Sequence, residues 1–239
     1  MKISKWHIFF IILLLGLSTL IYFMQIEIFH KPSETLFYIM QDLAFLPAQV
    51  LLVTIILNEL IARRERRILL DKMNMVIGAF FSDMGADLIG KFLKFERDRS
   101  GLDGILNVSA GWKKEDFVTA RKKLKTFTPG IDSTISDLAE LKQFLAGKQP
   151  FLLGLLGNQN LLEHQSFTDL LWATSHLTEE LIYRMKLPAL SREDYDHLSN
   201  DIKRAYSLIL IEWLDYVNHL RTSYPFIYAL VIKTNPFKK

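Results

Sequence analysis

The residues of this chain whose types and spacing could do chemistry are imidazole–carboxylate pairs. His176 and Glu180 stand four apart, as do Asp215 and His219, and Glu212 falls one turn before Asp215. His164, preceded by Glu163, lies ahead of the segment that carries His176. Residues four apart share one face of a helix. Two facing helices that each direct an imidazole and a carboxylate inward make a divalent-metal site in helical bundles, and a metal held there can activate water. The spacing departs from the Glu-x-x-His pattern of such bundles, and simpler roles compete. Glu163 and Asp169 suit helix caps, Glu180 can pair with Arg184, and Asp215 with His219 can bond to each other on a polar face. No GxxxxGKS or GxGxxG loop, GxSxG elbow or HExxH motif occurs. The chain has no cysteine, which excludes disulfides, thiolate metal sites and a cysteine nucleophile. A two-span hairpin followed by helices has the outline of a sensor, but no ATP-binding segment follows, and His176 as a phosphate acceptor has no further support.

The elements that must position these residues begin with two apolar stretches. From Trp6 to Ile26 no Asp, Glu, Lys or Arg appears, and Leu36 to Leu57 contains one charge, Asp42. At ~1.5 Å rise per residue each is long enough for a ~30 Å hydrocarbon core. Lys2 and Lys5 precede the first stretch, and Arg63, Arg64, Arg66 and Arg67 follow the second. Basic flanks stay cytoplasmic, so the expected topology is a transmembrane helical hairpin over residues 1–60, with spans at about 6–26 and 36–60 and both chain termini inside. Tyr22, Phe23 and Met24 occupy the place where a signal peptidase would need small residues, which favours an uncleaved span. The polar link Glu27–Thr35 is too short for a sensing domain outside the membrane. Asp42 either lies at the interface, near a helix N-terminus that favours its charge, or lines a pathway as the selectivity residue of an oligomeric pore. Pro47 reads as a tolerated kink.

Residues 61–239 form the expected cytoplasmic domain, all-α and without strand signals. Leu69, Met73, Val76, Phe80, Met84, Leu88, Phe92 and Phe95 recur at three and four, giving one apolar stripe up to about Asp98. Gly78, Ser82 and Gly85 form a small-residue ridge beside it that suits close packing by another helix, the alternative being a hinge that transmits movement from the membrane. Residues 100–111 read as a loop. A basic amphipathic helix from Lys113 to Phe127 follows, with Phe117, Ala120, Leu124 and Phe127 inward. Its Lys113, Lys114, Arg121, Lys122, Lys123 and Lys125, with Trp112 at the start, suit anionic headgroups, the alternative being an ordinary solvated face. Further helices are expected over about Asp132–Ala146 and, after a short apolar segment Gln149–Leu156, from a capping box Ser166-x-x-Asp169 to Met185. Asn160-x-x-Glu163 makes another box. A final long helix starts at Ser191-x-x-Asp194, with Tyr195, Leu198, Ile202, Ile209, Trp213, Tyr216 and Leu220 buried. Beyond Pro225 an apolar tail, Phe226–Ile232, should dock on the bundle or the membrane. The first sixty residues hold three basic and four acidic side chains of the chain's 29 and 26, so the remainder is net +4. That bias suits an anionic membrane surface and is too weak for nucleic acid.

The blocks Lys72–Ser82 (KMNMVIGAFFS), Leu161–Trp172 (LLEHQSFTDLLW) and Thr234–Phe237 (TNPF) resemble those of an uncharacterised group of prokaryotic two-span membrane proteins, over most of the chain. The resemblance implies the membrane hairpin with a C-terminal helical domain, supplies no activity or catalytic residue, and directs attention to Glu163–Trp172. The expectation is therefore an inner-membrane protein whose helical domain is a non-catalytic binding or regulatory module. Its expected partners are the bilayer, anionic lipid, and another protein or further copies of itself. The alternatives are a pore lined by the second span and a membrane-tethered enzyme using a divalent metal.

Overall fold

A computed structural model describes residues 5–158, 161 and 164–237. Lys2 and the Asn160–Glu163 box fall outside the described residues. The chain divides into two compact units, Met1–Arg66 and Arg67–Lys239. Among the described residues the secondary structure is helical, with one isolated antiparallel bridge, Glu96 to Ile131.

The first unit is a helical hairpin. α1 runs Lys5–Phe29 and α2, which begins in this unit, runs Pro32–Phe80. His30 ends α1 in the left-handed region (φ 53°) with its N–H on the Ile26 carbonyl, and Pro32 opens α2, where its fixed φ and missing N–H cost nothing. Asp42 accepts the Tyr22 hydroxyl at 3.0 Å across the hairpin. Thr19 and Thr54 return their hydroxyls to the carbonyls four residues back. α2 continues through Pro47.

The second unit is a bundle centred on α8, Arg192–Ser223. α2 ends at Phe80 in a π turn, Phe81–Gly85, and α3 takes over at Ala86–Leu93. The wide turn is visible in the Ala86 N–H, which bonds to the Phe81 carbonyl five residues back. A Cβ on Gly85 would lie 2.7 Å from the rings of both Phe80 and Phe81, so this glycine makes room for its own helix's aromatics. Gly78 behaves as the ridge reading expects, facing the Tyr216 ring on α8. Met73, Phe80, Met84, Leu88, Phe92 and Phe95 of the predicted stripe are buried, as are Leu198, Ile202, Ile209, Trp213, Tyr216 and Leu220 of α8.

Four boundaries differ from expectation. Residues 100–111 contain a short helix, α4 (Ser100–Leu106), anchored by buried Leu102 and Leu106. After α5 (Lys114–Thr126), Asp132 does not start a helix. Its carboxylate instead accepts the backbone N–H and hydroxyl of Thr134 and pairs with Arg97. Asp137 is the cap of α6, which runs unbroken through Pro150 from Leu138 to Leu156, merging the two expected segments. α7 spans Gln165–Tyr183 and its cap is His164, whose Nδ1 accepts the Phe167 N–H at 3.2 Å, so Ser166 already lies inside the helix. The Ser191–Asp194 box caps α8 as expected, and α9 (Pro225–Lys233) docks through buried Tyr228, whose hydroxyl donates to the Ser109 carbonyl.

Candidate functional site

α7 and α8 form an antiparallel pair joined by the short connection around Leu187–Ala189. In such a pair, residues equally far from the turn face each other. Three cross-helix contacts follow that rule: Arg184 with Asp194, Glu180 with His197, and His176 with Asp201. Lys142 of α6 donates to the Ile182 and Arg184 carbonyls at 3.2 and 2.9 Å, a cation at the C-terminal end of α7 where the helix dipole favours it.

The centre of this hairpin is an imidazole–carboxylate cluster. Asp201 Oδ2 lies 3.3 Å from His197 Nε2 and 3.8 Å from His176 Nε2, and His197 Nε2 lies 3.8 Å from Glu180 Oε2. Among the described residues, the ligand atoms of His176, His197 and Asp201 all fall within 4.8 Å of one another. Both imidazoles are 51% exposed, whereas the Asp201 side chain is 13% exposed and its Oδ2 accepts no well-formed hydrogen bond. Glu180 is engaged by Arg184, whose hydrogen bond holds its carboxyl below the usual range, and Arg184 also reaches Asp194 at 3.4 Å.

The five residues expected to share a metal therefore part company. His176 and Glu180 belong to the hairpin cluster, but their counterparts on α8 are His197 and Asp201. Asp215 stands 14 positions further along α8, ~21 Å at ~1.5 Å per residue, and its two carboxylate oxygens share the single Arg121 Nε–H, at 2.9 and 3.0 Å. His219 lies against Tyr224 with ring centroids 5.9 Å apart, and burial lowers its pKa. His164 is the α7 cap, ~18 Å along that helix from His176. The i,i+4 spacing of His197 and Asp201 was available in the sequence. It lay in the acidic first turns of α8, where carboxylates are explained by capping.

A second polar cluster sits between the start of α7 and the middle of α8. Glu212 is 2% exposed, with one carboxylate oxygen lacking a hydrogen-bond partner. Burial pushes its pKa up, opposed by a hydrogen bond from Ser166 and by the nearby His164 and Arg121 charges, and Asp215 adds to the rise.

The basic residues expected at a membrane surface fall in both units. Arg63, Arg64, Arg66 and Arg67 are exposed on α2, although Arg63 pairs with Glu59 at 2.7 Å. Lys113, which caps α5, and Lys114, Lys122 and Lys125 within it are exposed. Arg121 departs from that set because its guanidinium is turned to Asp215. Asp42, the candidate pore residue, is bonded to Tyr22 within its own hairpin.

Fold and site define an all-helical protein of two units, an apolar helical hairpin and a bundle with an imidazole–carboxylate cluster on one helix pair. The chain belongs to the MJ1433 family. Residues 69–233 match the family described as the C-terminal helical domain of uncharacterized protein MJ1433, and residues 2–61 match its N-terminal helical domain. A relative, uncharacterized protein MJ1433 of Methanocaldococcus jannaschii, is 39% identical over 237 residues, covering 99% of this chain and 95% of the relative. No solved structure matches.

Proposed function

We propose that this chain is a two-span protein of the cell membrane, with both termini cytoplasmic, whose helical bundle is a non-catalytic binding module at the inner surface. The observation that carries the reading is the bareness of the apolar hairpin. Among the described residues two N-terminal helices are long and apolar enough to cross a membrane, and the apolar window of each is unburied. A fully exposed Leu, Ile or Phe forgoes about 1.5–3 kcal/mol of burial. A run such as Ile8–Phe29 left in water is untenable, and lipid is the natural cover. The hydroxyls of Thr19 and Thr54, turned back on their own helices, suit a medium that offers no other partner.

The basic flanks support this orientation. Lys113, Lys114, Lys122 and Lys125 supply positive charge toward anionic headgroups, and α9 offers an apolar outer edge with Phe226 93% exposed beside Ile227 and Leu230. Binding is favoured over catalysis because no sequence motif sets an activated nucleophile beside its base.

The absence of native cysteine makes every introduced thiol a unique reporter. In intact cells, a membrane-impermeant maleimide should label Ser33→Cys, and should label Glu179→Cys only after the membrane is opened. Labelling of Glu179→Cys from outside, or recovery of the protein in the soluble fraction, would end the proposal.

A further inference from the structure

We infer that the α7–α8 hairpin carries a binding site for one divalent transition-metal ion, ligated by His176, His197 and Asp201. The inference concerns the bundle alone and stands apart from the membrane reading.

Its starting point is Asp201. A carboxylate oxygen removed from solvent should accept hydrogen bonds, and one that does not is a costly exception calling for an explanation. Asp201 Oδ2 is buried, accepts no well-formed bond, and faces two imidazole nitrogens at 3.3 and 3.8 Å. These separations suit a shared cation. Four ligands at the ~2.0–2.2 Å typical of zinc–nitrogen and zinc–oxygen bonds stand about 3.3–3.6 Å from one another around a tetrahedron. The three atoms here lie within 4.8 Å of each other, so small side-chain rotations bring them to that shape.

The helices supply the rigidity. His197 and Asp201 are one turn apart on α8, and His176 enters from α7 across a packed interface. Two of the three ligands therefore share one helix face, and the third is fixed by the antiparallel register. The half-exposed imidazoles leave one coordination position toward solvent for water. Glu180 lies next to the cluster but is occupied by Arg184, which sets the ligand count at two imidazoles and one carboxylate. That mixture suits Zn²⁺, Ni²⁺, Co²⁺ or Cu²⁺, and offers too few oxygens for Mg²⁺ or Ca²⁺. An ion so held ties the end of α7 to the start of α8.

The test uses the full-length protein in detergent, freed of any affinity tag and stripped with a chelator, with Zn²⁺ as the probe. Competition against a chromogenic chelator should give one equivalent bound. His197→Ala should weaken binding on the order of 100-fold, and Asp201→Asn by at least about tenfold, while His219→Ala should bind as the parent does. Asp201→Asn keeps the shape and removes a buried charge, so a loss of zinc in a variant with unchanged helical circular dichroism cannot be ascribed to misfolding. At free Zn²⁺ about 100-fold above its Kd, the melting temperature of the parent should rise by about 5–10 °C, and that of Asp201→Asn should rise less. Absence of saturable Zn²⁺ binding, or equal affinity in the parent, His197→Ala and Asp201→Asn, would overturn the inference.

Discussion

Asp132 is a hub on which the α5–α6 connection turns, and its replacement by Asn should be visible both in stability and in the pH dependence of stability. The carboxylate accepts the Thr134 N–H at 2.8 Å and the Thr134 hydroxyl at 2.7 Å on one oxygen, and pairs with Arg97 through the other. The backbone of the same segment is pinned beside it, by Asp132 N–H to the Phe95 carbonyl and Arg97 N–H to the Gly130 carbonyl. These bonds, led by those from Thr134 and then Arg97, lower the Asp132 pKa from 3.8 to about 2. The group is depressed in the folded state. Its contribution is therefore fully present above the ordinary carboxylate range and is lost as pH falls through about 2. Roughly two pKa units correspond to about 2.5 kcal/mol at ~1.36 kcal/mol per unit. Arg97 is well exposed, and solvent screening of its share brings the expected figure to about 1–2 kcal/mol. For a protein of this size each kcal/mol moves the melting temperature by about 2–4 °C, so Asp132→Asn should melt about 2–8 °C below the parent at pH 7. The assay is thermal unfolding of the full chain in detergent, followed by far-ultraviolet circular dichroism from pH 7 down to pH 2. The gap should hold to about pH 5 and close toward pH 2. Equal melting at pH 7, or a gap of constant size down to pH 2, would refute the assignment.

Other perturbations have opposite signs. Glu212 has a raised pKa, so its ionisation opposes folding as pH climbs above the ordinary glutamate range. Glu212→Gln should stabilise the bundle at pH 8 and lose that advantage below pH 4, read from melting curves at the two pH values. Gly85→Ala, whose new methyl would meet two buried rings at 2.7 Å, should lose about 1–3 kcal/mol to overpacking, less up to ~1 kcal/mol gained in helix propensity. Gly78→Ala has 3.5 Å to the Tyr216 ring and should be neutral or stabilising, both glycine variants being read by urea titration. Phe167→Ala empties a wholly buried site against Phe80 and should cost about 3–5 kcal/mol in chemical denaturation, the largest of these losses.

Elements whose cause is local were legible in the sequence. The α8 cap is readable because Ser191 and Asp194 satisfy each other's backbone donors three residues apart, and the buried faces of α3 and α8 follow from spacing alone. What escaped depends on partners far along the chain. Ser100–Leu106 looks like a loop because Gly101 and Gly104 lower its helix propensity, yet burial of Leu102 and Leu106 holds it helical. Pro150 seems to divide a helix, but the α6 segments on either side share one buried row, Leu141, Leu145 and Leu152, that outweighs one missing hydrogen bond. The site was half legible. His176 and Glu180 were found by their spacing, whereas their match on α8 is set by distance from the α7–α8 turn, a quantity that depends on where both helices end. Misplacing that counterpart by four helical turns gathered into one site residues that fall in two separate clusters and one, His219, that stands against Tyr224.

The π turn at Phe81–Gly85 has a consequence for how this lineage can change. A wide turn is what remains when a helix absorbs one surplus residue without unwinding. Removing one residue from this stretch would restore an ordinary helix and leave Leu88 and Phe92 facing the core, whereas removing one from the regular turns before it would rotate everything after it by about 100° and carry both out. The bulge thus behaves as a phase marker. In alignments of the family a one-residue gap should be tolerated at Phe81–Gly85, whereas single gaps should be missing from the regular turns on either side.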